Sequence, residues 1–132
     1  MNASLIGIST GLIVIVFTSL LKRLDKKIIY SLILAGIGFL YVGFTWMNSD
    51  ATVINILQAL FFFFLAYFGI KKNIYFTIAG FFLHGIWDIV YHQFADPGLI
   101  PPHYDLFCFT IDFVMGFYLL IIQYQMDKKS NQ

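Results

Sequence analysis

The chain has 132 residues, 60% hydrophobic and only 11% charged, with a mean hydropathy of +0.82. That length allows one domain, and that balance excludes an ordinary soluble globule, whose surface could not hide so much apolar area. A net charge of +1 excludes nucleic acid as a partner, because the few cations fall in short clusters that form no basic face. The single cysteine, Cys108, cannot form an internal disulfide, and the absence of glutamate leaves aspartate as the only side-chain carboxylate.

Hydropathy predicts five apolar spans, each long enough to cross about 30 Å of hydrocarbon as a helix. The first covers 4–21. Basic residues follow it and none precedes it, which argues against a cleaved signal peptide and places the N-terminus outside. Gly7 and Gly11 make a GxxxG, a close-packing pattern that most often marks ordinary helix contact. The second span, 28–46, carries Gly36, Gly38 and Gly43 and ends on Trp46 near the interface. The third, 52–70, contains the run Phe61 to Phe64, which has no helical period and is expected to face lipid on several sides. Asn55 and Gln58, three residues apart, share one face of it. The fourth span is 74–94. Pro97, Gly98, Pro101 and Pro102 then forbid a continuous helix. The fifth span, 106–123, leads to a polar tail from Asp127.

The basic residues test this topology. With five spans and the N-terminus outside, Lys22, Arg23, Lys26, Lys27, Lys71, Lys72, Lys128 and Lys129 all lie on the cytoplasmic side, as the positive-inside bias requires. Four or six spans would scatter them. The fold expected is an all-α polytopic bundle of five transmembrane helices, N-out and C-in, forming one membrane domain over 1–132.

Nearly all the reactive side chains fall between His84 and Asp112, which hold all three histidines and the cysteine. At about 1.5 Å per residue, Asp88 and Asp112 lie at a similar depth, about 10 Å below the outer boundary, with His84 near the midplane. His84, Asp88 and His92 form a drifting stripe on one helix, and Asp105, Cys108 and Asp112 share one face of the next. Facing each other, the two stripes make a pocket that Asn55, Gln58, Trp87 and His103 could complete, with Ser9 and Thr10 from the first span. An aspartate at the centre of a membrane helix costs on the order of 3 kcal/mol, so two of them require a partner or a cavity. No lysine or arginine is available in that half. The neutraliser is therefore an imidazolium, a bound cation, or protons on the carboxyls themselves.

Imidazole, carboxylate and thiolate are the ligands of Zn2+ and similar divalent metals, so His84, His92, Asp88 and Asp112 are candidate ligands, with Cys108 and His103 beside them. Asp88 and Asp112 are the candidate catalytic carboxylates of a metal-assisted hydrolase acting on a lipid or small molecule. The same groups suit a proton- or cation-handling transport protein. They also suit an accessory subunit in which they bond helices together, Cys108 being then a small packing residue.

The run HGIWDIVYHQF, a proline-containing loop and a Cys-to-Asp helix resemble a family of small uncharacterised bacterial integral membrane proteins, a domain of unknown function. The resemblance implies that His84, Gly85, Trp87, Asp88, His92, Cys108 and Asp112 are positions such proteins share, and a bacterial plasma membrane as the location. It implies no activity. The seven-helix membrane hydrolases similar to alkaline ceramidases are a poorer comparison, since they carry an HxxxH zinc set that is missing here. The partners expected are the lipid bilayer, together with a homo-oligomer or a partner membrane subunit.

Overall fold

The computed structural model describes residues 2–96 and 98–132. Its elements are five α-helices, α1 (Ala3–Leu20), α2 (Lys26–Thr45), α3 (Ser49–Lys71), α4 (Tyr75–Phe94) and α5 (Tyr104–Ser130), and the described residues form no strand. Of the three prolines expected to break the chain after α4, Pro97 lies outside the described residues.

Helix starts follow local chemistry. Asn2, Asp25 and Asn48 occupy the N-caps of the first three helices, and each side chain accepts a backbone N–H of the first turn, filling a donor that the helix itself leaves open. Asn73 does the same for α4 by accepting the Tyr75 N–H at 3.1 Å. The residue before α5 is unusual. His103 has φ 60°, the left-handed region that non-glycine residues seldom adopt, and it follows Pro101 and Pro102 at the turn into the helix. At its far end α5 runs on to Ser130, past the polar tail expected from Asp127, because Asp127 is tied down: it accepts from Tyr75 at 2.7 Å and from Gln123 at 2.8 Å.

α2 and α3 form a hairpin, α4 packs against both, α5 packs against α4, and α1 lies on the outer side of α5. The GxxxG of α1 supplies that last contact. A Cβ at Gly7 would collide with the Thr110 side chain and lie 2.5 Å from the Phe107 carbonyl, so only glycine allows this approach. At one end of the bundle Tyr30, Leu34, Phe81, Met115 and Leu119 make an apolar core.

Polar groups occupy the interior of the other end, and large apolar residues cover the outside. His84, Asp112 and Asn55 are fully buried, whereas Leu5, Ile13, Leu57 and Phe61 are exposed. This inverts the pattern of a water-soluble domain. α1, α2, α3 and α5 are long and apolar enough to cross a membrane. α4 is as long as α2, at 20 residues, but spends part of its apolar character on His84, Asp88, His92 and Gln93.

Candidate functional site

α4 contributes His84 and Asp88, one turn apart on one face, and α5 contributes Asp112 at the same level. Gly85 brings the two helices together: a Cβ there would sit 2.9 Å from the Phe113 ring and 3.5 Å from the Asp112 Cβ. Across that seam His84 Nδ1 is 2.8 Å from Asp112 Oδ2 and 3.4 Å from Asp88 Oδ2. All three residues are at most 1% exposed. One donor atom from each can be chosen so that the three lie within 4.8 Å of one another, close enough to hold a metal ion.

Two further residues complete the surroundings, and neither was foreseen from the sequence. Tyr41 of α2, itself 1% exposed, donates its hydroxyl to Asp88 Oδ1 at 2.6 Å. Phe62 of α3 sets its ring edge-on to the His84 imidazole, with centroids 4.7 Å apart. The phenylalanine run, expected to face lipid on several sides, exposes Phe61, Phe63 and Phe64 and turns Phe62 into the interior. Toward the α2–α3 turn Tyr41, Phe44, Tyr91 and Tyr104 pack edge to face beside the cluster.

The remaining candidates divide. Asn55 lies beside the cluster, donating to Tyr91 at 2.8 Å and to Thr45 at 3.1 Å. The Thr45 hydroxyl in turn bonds the Tyr41 carbonyl, so Asn55 braces Tyr41 without touching the carboxylates. Gln58 donates to the Gly38 carbonyl. Cys108 is buried one turn outward of Asp112 and is not among the three grouped residues. Trp87 is half-buried against Tyr91. His92 lies apart: its side chain is 58% exposed and 3.9 Å from Asp105. His103 is exposed at the mouth. α1 brings nothing, since Ser9 is exposed and Thr10 bonds its own helix at the Ile6 carbonyl.

His84 Nε2, Asp88 Oδ2, Asp112 Oδ1 and Asn55 Oδ1 are buried without a hydrogen-bond partner. Unsatisfied groups of this kind cost about 1–3 kcal/mol each; Gln58 Oε1 and Trp87 Nε1 are in the same condition away from the carboxylates.

The fold and this group together define the class, an all-α, membrane-compatible protein with a buried His/Asp/Asp constellation. Within that class the chain belongs to the family of unknown function DUF6010, whose model matches residues 2–125. No curated protein and no solved structure matches the chain.

Proposed function

We propose that this is a five-span membrane protein, N-out and C-in, whose His84, Asp88 and Asp112 hold a divalent transition metal such as zinc in the outer half of the bilayer. In this reading the metal supports hydrolysis of a lipid or another membrane-delivered small molecule. The observation that carries it is the separation of the three donors. Metal–ligand bonds of about 2.0–2.2 Å at near-tetrahedral angles put neighbouring donors about 3.3–3.6 Å apart; the 3.4 Å contact between His84 and Asp88 falls in that range, and the 2.8 Å hydrogen bond between His84 and Asp112 would have to open by about 0.5 Å to admit the ion. A doubly charged ion also cancels both carboxylates in a region with no lysine or arginine.

Three protein ligands leave a fourth position for water, as in catalytic rather than structural zinc sites. A metal there would supply a hydroxide nucleophile at neutral pH. Asp88 has its Oδ1 occupied by Tyr41, which suits a fixed ligand. Asp112 has its Oδ1 without a hydrogen-bond partner, so with Oδ2 toward the metal this second oxygen would be the one to accept that water's proton. Access from the hydrocarbon is supported by a groove of about 450 Å3 between α3 and α4, lined by Leu57, Phe61, Phe62 and Trp87. Phe62 lines this groove and sets its ring against His84.

A specific contact favours a second reading. The 2.8 Å bond between His84 and Asp112 and the bond from Tyr41 to Asp88, with His84 Nδ1 3.4 Å from Asp88 Oδ2, bring an imidazole, two carboxyls and a hydroxyl together, the kind of group that handles protons in membrane transporters. Elemental analysis of the detergent-purified protein separates the two. The metal reading expects about one ion per chain in wild type and in His92→Ala, and none in His84→Ala or Asp88→Asn. Wild-type protein free of metal after growth with added zinc would remove the hydrolase. Proton handling would then be tested by whether Asp88→Asn changes pH-dependent transport in proteoliposomes.

A further inference from the structure

The end of the bundle opposite the metal-ligating group carries a second site of different chemistry. A cavity of about 530 Å3 opens where the first turn of α2, the end of α3 and the second half of α5 meet. Lys26, Lys27 and Lys72 line it together with a floor of Ile74, Leu119 and Met126. Two of the ammonium groups are positioned by aromatic side chains: Lys26 Nζ donates to the Tyr118 hydroxyl at 3.1 Å and lies over that ring, and Lys72 Nζ sits 5.2 Å from the Phe68 centroid. Among the described residues no carboxylate lies within 4.0 Å of any lysine ammonium. Asp25, the one acid at the cavity, is engaged as the cap of α2, accepting the Lys27 backbone N–H at 2.9 Å.

Three unpaired cations against one occupied carboxylate leave a net of +2 beside an apolar floor, a combination that neither a neutral lipid nor a free hydrophobe requires. We propose that this cavity binds the headgroup of an anionic phospholipid, its phosphate held by Lys26, Lys27 and Lys72 and the start of an acyl chain on Ile74, Leu119 and Met126. A phosphomonoester, with a charge of about −1.5 to −2 at neutral pH, matches the charge best. Basic pockets between membrane helices take such headgroups. The site shares no residue with the metal-ligating group, so either can fail without the other.

Native mass spectrometry and thermal shift of the full-length protein in detergent test it, using dioleoyl phosphatidate, dioleoyl phosphatidylcholine and inorganic phosphate as probes. Phosphatidate is expected to give a retained adduct and a raised melting temperature, and phosphatidylcholine neither. Lys27→Gln with Lys72→Gln should weaken phosphatidate binding about tenfold or more, whereas removing the same charge as Lys128→Gln with Lys129→Gln should leave it unchanged. Ile122→Trp, which fills the cavity wall without altering charge, should also reduce binding, and it stands in if the lysine variant does not fold. Equal losses in the two lysine pairs, or equal binding of phosphatidylcholine, would overturn the site. Inorganic phosphate giving the same shift through the same lysines would overturn the lipid and leave free phosphate as the ligand.

Discussion

The hydroxyl of Tyr41 is the single atom group whose removal tests the site most cleanly, because it touches Asp88 without being a ligand candidate itself. Tyr41→Phe keeps the buried ring and deletes a 2.6 Å bond, leaving Asp88 Oδ1 unpaired. A stability loss of about 1–3 kcal/mol is expected. If the group holds zinc as proposed, metal affinity should fall about 10–100-fold while saturating zinc still gives the wild-type stoichiometry. A chelator-competition titration measures the first number, and unchanged affinity would mean that Asp88 binds no metal. Tyr41 and Phe62 could not be found from the sequence, since each is an ordinary aromatic in a helix that is apolar all round and so reveals no inward face. His92 shows the opposite error. Eight residues from His84 it has rotated about 80° around the helix and points outward to Asp105, so a stripe that looks continuous in one dimension turns off the site within two turns.

At the scale of elements, five apolar runs and four polar or proline-rich breaks were legible, because interrupting a helix takes few residues and those residues are distinctive. Which helices touch was legible only in part. The pairing of α4 with α5 followed from their short connection, but α1 lies against α5 rather than against the pocket. Glycines now discriminate among these contacts. Gly7→Ala should destabilise by about 1–3 kcal/mol through overpacking, since a Phe107 backbone carbonyl at 2.5 Å cannot step aside. Gly36→Ala, with nothing within 4 Å of its Cβ, should leave the detergent melting temperature level or slightly raised. Equal effects from the two would contradict the α1–α5 seam. Gly85→Ala joins seam and site: its Cβ would press on Phe113 at 2.9 Å and push α5 away from α4. On the proposed metal reading, zinc retention should therefore drop even though no proposed ligand is changed, and retention at the wild-type level would show that the seam does not set the spacing of His84, Asp88 and Asp112.

For the whole molecule the strongest argument remains the distribution of charge. All eight lysines and arginines fall in segments that alternate with the 47–51 and 95–104 connections, and the apolar exterior is compatible with hydrocarbon around the bundle. α4 is the helix on which the span count depends, being the one of the five that is not apolar enough by composition alone. Its polar residues His84 and Asp88 are buried inside the bundle, while Leu83, Ile86 and Val90 face out, so its exposed surface is apolar except at its end, where His92 and Gln93 are exposed. Average hydropathy mixes these two faces. Five spans are therefore the topology we propose, and cysteine accessibility tests it. In a Cys108→Ala background, a membrane-impermeant maleimide added to intact cells should label Asn48→Cys and Gly98→Cys, and should reach Lys72→Cys and Lys129→Cys only after permeabilisation. Labelling of Gly98→Cys and Lys72→Cys from the same side would remove α4 from the spans. The His84, Asp88 and Asp112 group would then lie outside the hydrocarbon, and the charge argument for a bound metal would lose the low-dielectric surroundings on which it rests.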